Sequence, residues 1–267
     1  MISTFVKSLF IGAISLPALI LANWQLVWND EFNGTSIDSS KWNHDIGGNG
    51  WGNEELEYYT DRAENSYVKG GFLHIQGLKE DYNGSQYTSA RINSLGKFSQ
   101  KFGKFEIRAK LPTGQGVWPA FWMLGDNLNQ VGWPTCGDID VFEMIGKQPS
   151  VAHGSLHAKG LDTTKEYTSQ QGFADDYHTF GIEWYPSKVD FYIDGNTYFS
   201  VDKSTTQGDW PYDRNSFFII LNLAIGGNWP GNPDETTNFP ALYTIDYVRV
   251  YKYVQNEDEI DDLEFLQ

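Results

Sequence analysis

Short runs in which apolar and polar residues alternate recur along the chain, with turn residues between them. The clearest runs are 72–75, 104–110, 179–184, 189–193, 217–223 and 243–251, with a turn at 194–196. Such alternation is typical of β-strands, and the 27 Gly and 10 Pro provide residues for the turns. Helical periodicity is hard to find. The pattern therefore predicts an all-β protein.

The N-terminal segment differs in composition from the rest of the chain. Residues 1–22 hold one Lys, an apolar stretch at 9–21 and a small residue before a polar region, which is typical of a secretory signal peptide. The alternative is a membrane anchor, for which the apolar stretch is short. Residues 23–254 then show no repeat and predict one β-sandwich domain, followed by an acidic, disordered tail at 255–267. We expect a secreted protein, extracellular or periplasmic.

Three carboxylates lie within one apolar, strand-like run, at Asp138, Asp140 and Glu143. On a regular strand the first two would share a face and Glu143 would point the other way. One β-bulge between Asp140 and Glu143 places all three on the same face and leaves Ile139 and Val141 on the opposite, buried face. The spacing predicts a bulged strand with a row of acids.

Neighbouring carboxylates repel one another, and this repulsion pushes their pKa values apart. A pair with one ionised and one protonated member is what cleavage of a glycosidic bond requires, at a separation of about 5–5.5 Å for the retaining reaction. The alternative is a solvated edge strand whose acids face water. Edge strands more often carry scattered charges than three acids on one face. The run therefore favours acid–base chemistry on sugars.

The run resembles the catalytic strand of glycoside hydrolase family 16, in its bulged, laminarinase-like branch, whose pattern is Glu-x-Asp-x-x-Glu. Other segments that resemble the family are 28–34, 50–60, 88–94, 116–124, 153–157, 180–184, 221–231 and 246–251. The resemblance implies a concanavalin-like β-jelly-roll sandwich of two antiparallel sheets. It also implies endo-acting hydrolysis of β-1,3-glucan of the laminarin type, with mixed-linkage glucan as a further candidate substrate.

By this resemblance Asp138 is the nucleophile, Glu143 the general acid and base, and Asp140 the residue that tunes the nucleophile. The family has Glu at the first position, and Asp withdraws the carboxylate by about 1.5 Å, one carbon–carbon bond. Since attack needs reacting atoms within about 3–3.5 Å, the loss in rate is on the order of a hundredfold. A weakened enzyme, an engineered substitution and a non-catalytic, lectin-like β-glucan-binding protein all fit. A widened gap could also admit a water, as in inverting enzymes.

The chain is 16% aromatic, and most aromatic side chains pack in the core of any β-rich protein. Trp118 and Trp122 belong to one predicted strand and share a face with Ala120 between them. The resemblance implies that Trp118 and Trp133 are platforms for sugar rings, with Trp122 as a weaker candidate. It also implies that Trp229, in a Gly-rich loop, covers sugars near the cleavage point.

Polar candidates complete the predicted sugar site. Asn53 and Arg91 match family positions that bind sugar, and the five N–H donors of Arg91 suit hydroxyl groups. The alternative for Arg91 is a structural ion pair. His157 is expected to hydrogen-bond beside the acids, or to be a buried core imidazole, and His153 is the second candidate for that place.

The net charge limits which partners the protein can bind, and the cysteine content limits its disulfides. A formal net charge of −16 repels nucleic acid, anionic lipid and sulfated polysaccharides, whereas a neutral glucan is unaffected. We expect a monomer that binds β-1,3-glucan polysaccharide or oligosaccharide, without a catalytic cofactor. Because Cys136 is the only cysteine, no intrachain disulfide can form.

A structural calcium site is implied by the resemblance alone. The matching ligands are the main chain of Glu31 and Gly71 and both the side chain and main chain of Asp246, on the side of the sandwich away from the acids. Oxygen ligands of this kind suit Ca²⁺. Asp246 could instead cap a strand or pair with Arg249.

Overall fold

The computed structural model describes residues 23–254, and Trp24–Tyr253 form one compact unit. The predicted signal peptide at 1–22 and the predicted tail at 255–267 lie outside the described residues. Within 23–254 no helix is long and apolar enough to cross a membrane. The unit is built almost entirely of strands, as the alternating runs predicted.

The first nine strands are β1 Asn23–Asp30, β2 Asn43–Asp45, β3 Glu57–Tyr59, β4 Ser66–Lys69, β5 Phe72–Tyr82, β6 Ser85–Ser89, β7 Arg91–Asn93, β8 Gly103–Lys110 and β9 Val117–Gly125. The remaining strands are β10 Asp138–Glu143, β11 Val151–Ala158, β12 Leu161–Thr168, β13 His178–Tyr185, β14 Lys188–Ile193, β15 Asn196–Asp202, β16 Phe217–Ile225 and β17 Ala241–Val254. A short helix, α1 Leu128–Val131, and a 3₁₀ turn, Pro211–Asp213, complete the described elements. Each of the six predicted runs lies within an observed strand.

The strands form two sheets whose pairs are nearly all antiparallel. The seven-stranded sheet has the order β12-β11-β10-β9-β16-β7-β2, and the ten-stranded sheet has the order β15-β14-β13-β8-β17-β5-β6-β3, with β1 on β17 and β4 on β5. The exception is the parallel pair of β3 and β6. Two antiparallel sheets are the predicted sandwich, so the predicted fold class is confirmed.

Large aromatic side chains join the two sheets across the core. Phe142 from the seven-stranded sheet packs against Phe180 and Tyr243 from the ten-stranded sheet, with ring centres 4.3 Å and 6.1 Å apart. Trp184 and Phe217 make a similar contact at 5.2 Å. Full burial of a side chain such as Phe contributes about 1.5–3 kcal/mol. The core therefore fixes the position of β10, which carries Phe142.

The acid-bearing strand β10 lies inside its sheet, between β9 and β11, so the alternative of a solvated edge strand is wrong. Its register shifts between Asp140, which pairs with Ser155, and Glu143, which pairs with His153. Three steps on β10 match two on β11, which is the predicted bulge. Ile139 and Val141 are buried in the core.

Candidate active site

A cavity of about 640 Å³ lies over the outer face of the seven-stranded sheet. Its lining includes all three predicted catalytic acids and all seven predicted sugar-binding residues. The lining residues are Trp51, Gly52, Asn53, Glu55, Arg91, Trp118, Ala120, Trp122, Leu124, Trp133, Asp138, Asp140, Glu143, His157, Asp162, Asn222 and Trp229. Residues spread over the whole chain therefore meet in one groove.

The two outer acids of the row are each held by a tryptophan. The indole Nε1 of Trp133 donates to Oδ2 of Asp138 at 3.1 Å, and the indole Nε1 of Trp118 donates to Oε1 of Glu143 at 3.0 Å. Asp138 and Asp140 are buried, and Oδ1 of Asp138 has no hydrogen-bond partner within the described residues. A buried acceptor without a partner costs about 1–3 kcal/mol. Asp138 therefore has one oxygen held by Trp133 and one buried oxygen without a partner among the described residues.

Burial dominates the electrostatics of the acid row. It raises the pKa of Asp138 well above its usual range, and the charge of Asp140 raises it further. Burial also raises the pKa of Glu143 strongly, with the charges of Asp140 and then Asp138 adding to the effect. Burial raises the pKa of Asp140 to about 7, although the neighbouring carboxyl group of Asp138 opposes the shift. The row therefore keeps protons at neutral pH, as a general acid requires.

His157 lies beside the middle acid and is not a core imidazole. Its Nε2 is 3.1 Å from Oδ2 of Asp140, and its Nδ1 is 3.0 Å from Oδ1 of Asp162. His153, the second candidate, is buried and packs against the ring of Trp229 at 4.9 Å. Of the two histidines, His157 is the one that contacts an acid of the row.

The backbone beneath the acids is fixed by residues that the sequence did not point to. The hydroxyl of Tyr212, from the 3₁₀ turn, lies 3.2 Å from the carbonyl of Asp138 and 3.0 Å from the carbonyl of His157. Gly137 precedes the acid row with φ at +85°, and a Cβ there would stand 2.5 Å from Cγ of Pro211. Glycine is therefore required at this approach.

Arg91 makes the structural ion pair that was the alternative prediction, and it also lines the groove. Its Nε donates to Oδ2 of Asp45 at 2.9 Å, which is the structural ion pair. Its guanidinium also lies between two indole rings, 4.9 Å from the centre of Trp51 and 4.8 Å from the centre of Trp122. The ion pair orients the guanidinium so that it lines the groove.

A buried hydrogen-bond network supports the same end of the groove. Trp122 donates from Nε1 to Asn222 at 2.7 Å, and Asn222 donates to the hydroxyl of Tyr59 at 3.1 Å. The Tyr59 hydroxyl in turn donates to Glu55 at 3.1 Å, and the Asn53 amide donates to the same carboxylate at 3.2 Å. The sequence reasoning found Asn53 and Trp122 but missed the other three. For Glu55 and Tyr59 the available signal was their even spacing, because residues an even number apart on a strand share a face.

The groups implied for calcium lie on the ten-stranded sheet, away from the groove. The side chain of Asp246 pairs with Arg108, and Arg249 pairs with Glu31 through two hydrogen bonds of 2.9 and 2.8 Å. The alternative pairing of Asp246 with Arg249 is therefore wrong. Among residues 23–254 no group of three or more His, Cys, Asp or Glu side chains could hold a metal ion. A cation would have to rely on main-chain oxygens, which Ca²⁺ accepts.

Taken with the sandwich, a groove with three carboxyl groups on one strand and five tryptophans defines a class, the carbohydrate-cleaving enzymes of β-sandwich fold. The sequence matches the family described as "Glycosyl hydrolases family 16" over residues 49–249. The chain belongs to this family and is a glycoside hydrolase.

Individual relatives agree with this assignment. The Beta-glucanase of Rhodothermus marinus is 42% identical over 87% of this chain and 87% of that protein. Glucan endo-1,3-beta-glucosidase A1 of Niallia circulans is 37% identical over 92% of this chain, which spans 40% of that protein. The crystal structure of the endo-beta-1,3-glucanase from Pyrococcus furiosus superimposes with a TM-score of 0.84 and 44% identity, over 88% of this chain and 97% of that one.

Proposed function

We propose that this protein hydrolyses β-1,3-glucan at internal linkages by a retaining mechanism with two carboxyl groups. Similar proteins named endo-1,3-beta-glucosidase and endo-beta-1,3-glucanase support this substrate. Five tryptophans line the groove, and their flat faces suit the C–H faces of sugar rings. The single observation that carries the proposal is the bulge, because it puts Asp138 and Glu143 on one face of β10.

The two acids divide the chemistry between them. Asp138 attacks the anomeric carbon through its carboxylate, which Trp133 holds at Oδ2. Glu143 gives its proton to the leaving glycosidic oxygen and later takes a proton from the water that hydrolyses the glycosyl-enzyme. Trp118 binds Oε1 of Glu143, which leaves Oε2 as the oxygen that carries the proton.

Electrostatics supports this division of roles. Burial raises the pKa of both acids most; beyond burial, the charges of Asp140 and Asp138 raise the pKa of Glu143, whereas the charge of Asp140 raises the pKa of Asp138. The charge of His157 and the hydrogen bond from Trp133 act on Asp138 in the opposite direction and favour its ionised form. Once Asp138 is ionised, its charge helps to keep Glu143 protonated.

Turnover is expected to be weakened by the short side chain of Asp138. The carboxylate stands about 1.5 Å further back than that of Glu, and a shift of this size costs on the order of a hundredfold in rate. Non-catalytic binding of β-glucan is the second candidate function, and Asp138 is the observation that favours it. The tryptophans and Arg91 would serve either function.

Reducing-sugar release from a linear β-1,3-glucan distinguishes the two functions. The native protein is compared with Asp138→Glu, and Glu143→Gln serves as the blank because it keeps the shape of the acid but has no proton to give. We expect native release above the blank and faster release from Asp138→Glu. If only Asp138→Glu releases sugar, the native protein is assigned to non-catalytic binding of β-glucan. If neither protein releases sugar, the β-1,3-glucanase assignment is rejected.

We also propose a structural Ca²⁺ bound by main-chain oxygens of Glu31 and Gly71 and by Asp246. The strand that carries Asp246 pairs with β1, and Gly71 lies beside Asn33, two residues past Glu31, so the three segments adjoin. Binding would stabilise the folded state by mass action. The thermal midpoint should rise when Ca²⁺ is added to chelator-treated protein, and Asp246→Asn should remove the rise. An unchanged midpoint in the native protein would reject the site.

A further inference from the structure

The edge strand β12 brings a second carboxylate to His157, the histidine beside the acid row. Asp162 pairs in register with His157, and its Oδ1 lies 3.0 Å from Nδ1 of that ring. The opposite nitrogen, Nε2, lies 3.1 Å from Oδ2 of Asp140. The side chain of Asp162 is 84% exposed, whereas that of Asp140 is 6% exposed. Asp162, His157 and Asp140 therefore form a chain of contacts that leads from solvent to the buried acid row.

This geometry determines where the ring carries its protons. An ionised carboxylate can only accept hydrogen bonds, and a neutral imidazole carries a proton on one nitrogen alone. The carboxylate of Asp162 offers Nδ1 an acceptor at 3.0 Å, so Nδ1 is the nitrogen that carries the proton. Nε2 is left without a proton and faces Asp140, from which it can accept a hydrogen bond.

We propose that Asp162 is a positioning residue, which keeps a proton on Nδ1 of His157 so that Nε2 accepts a hydrogen bond from the protonated carboxyl group of Asp140. Its effect on catalysis rests on the proposed function, but its effect on the ring does not. In this arrangement Asp140 keeps its proton and stays neutral, so it carries no charge that would raise the pKa of Asp138. Asp162 thus promotes ionisation of the nucleophile without touching the sugar.

Several charged groups face the ring besides Asp162, and each contributes to its surroundings. From β10 these are Asp138, Asp140 and Glu143, and from β7 it is Arg91, whose charge also lowers the pKa of Asp138. The hydroxyl of Tyr212 contacts only the main-chain carbonyl of His157. Among these groups, Asp140 and Asp162 are the ones within hydrogen-bond distance of a ring nitrogen. Removal of Asp162 therefore leaves Nδ1 without its acceptor.

Nitrogen NMR of the ¹⁵N-labelled protein tests the inference directly, because ring nitrogens with and without a proton have different shifts. His157→Gln assigns the signals among the five histidines. Asp162→Asn keeps an acceptor oxygen and should keep the proton on Nδ1, whereas Asp162→Ala should move it to Nε2. Glu166→Gln is the matched control, since Glu166 lies on the same strand but 4.0 Å from His153. Unchanged His157 signals in Asp162→Ala would overturn the inference.

Kinetics on β-1,3-glucan give the second readout, in the native protein and in the Asp138→Glu background. Asp162→Ala should lower kcat on the order of tenfold, the equivalent of about one pKa unit in the nucleophile, with KM nearly unchanged. The acidic limb of the pH profile should move to higher pH, since ionisation of Asp138 loses support. Asp162→Glu should restore part of kcat. A raised KM with an unshifted pH profile would instead identify Asp162 as a sugar contact and overturn the inference.

The two readouts separate failure of the inference from failure of the proposed function. If neither background releases sugar while the ring signals of His157 still respond to Asp162→Ala, the hydrolase assignment falls and the control of the ring by Asp162 stands. If sugar is released and the ring signals do not respond, the proposed function stands and the role of Asp162 is rejected.

Discussion

The indole Nε1 of Trp133 lies 3.1 Å from Oδ2 of Asp138, although the Trp133 side chain is 60% exposed and the acid is buried. One residue therefore presents its ring to the groove and its N–H to the proposed nucleophile. A hydrogen bond to an ionised acceptor contributes about 1.5–3 kcal/mol. Trp133 is expected to matter for turnover as well as for sugar binding.

Trp133→Phe keeps an aromatic ring and removes the N–H. We expect kcat to fall on the order of tenfold or more, the equivalent of about 1.5–3 kcal/mol, with a smaller change in KM. Trp51→Phe is the control, because the indole of Trp51 also lines the groove but donates to the main-chain carbonyl of Gly47 at 3.1 Å. Steady-state kinetics on a soluble β-1,3-glucan gives kcat and KM for the two variants. Equal kcat losses in the two variants would contradict a special role for the N–H of Trp133.

Tyr212→Phe tests whether the backbone under the acids needs its support. The variant removes the hydroxyl that contacts the carbonyls of Asp138 and His157 and changes nothing else in shape. Loss of a neutral hydrogen bond costs about 0.5–1.5 kcal/mol, and more where buried carbonyls lose their partner. We expect a loss of about 1–2 kcal/mol in the free energy of unfolding by urea and a lower kcat. Full native stability and activity would show that other contacts fix this backbone.

The strands and the acid row could be predicted because they depend on local rules. Alternation along 138–143 was sufficient to predict a bulge between Asp140 and Glu143 and a buried opposite face, and the structure has both. The predicted sugar-binding residues came from the family resemblance. Neither source indicated how the side chains contact one another.

Contacts between distant segments could not be predicted in the same way. Tyr212 is separated by 74 residues from Asp138, and only the path of the chain through both sheets brings them together. The sequence around Asp162 contains no pattern that indicates a functional residue. Its place beside His157 follows from the register of β12 on β11. Register depends on the whole hydrophobic pattern of a strand and on its turn. The contact between Asp162 and His157 could therefore not be predicted from the sequence alone.

Arg91→Lys separates the charge of this residue from its shape. Lys keeps the positive charge but cannot lie flat between Trp51 and Trp122 while it bonds to Asp45, as the guanidinium does. We expect a KM several times higher, because each lost contact between the cation and an indole is worth about 0.5–1 kcal/mol at a partly exposed site. Isothermal titration with a β-1,3-linked oligosaccharide checks binding without turnover. Unchanged affinity would assign Arg91 a purely structural role.

Stability should depend on pH through the middle acid of the row. Burial raises the folded-state pKa of Asp140 to about 7, whereas an unfolded Asp titrates at about 3.9. Between these values the folded state binds more protons than the unfolded state. The stability that this group contributes is therefore fully present below about pH 4 and is lost as pH rises through the folded pKa.

Asp140→Asn removes this titration and should flatten the dependence of stability on pH. The free energy of unfolding of the native protein should fall more steeply than that of the variant between about pH 4 and pH 7, by up to about 1.4 kcal/mol per pH unit for one proton. Glu235→Gln, at an exposed position, controls for the change in net charge. Urea denaturation at several pH values gives the curves. Parallel curves for the native protein and Asp140→Asn would mean that Asp140 titrates alike in both states, and that burial of the acid row does not hold its protons.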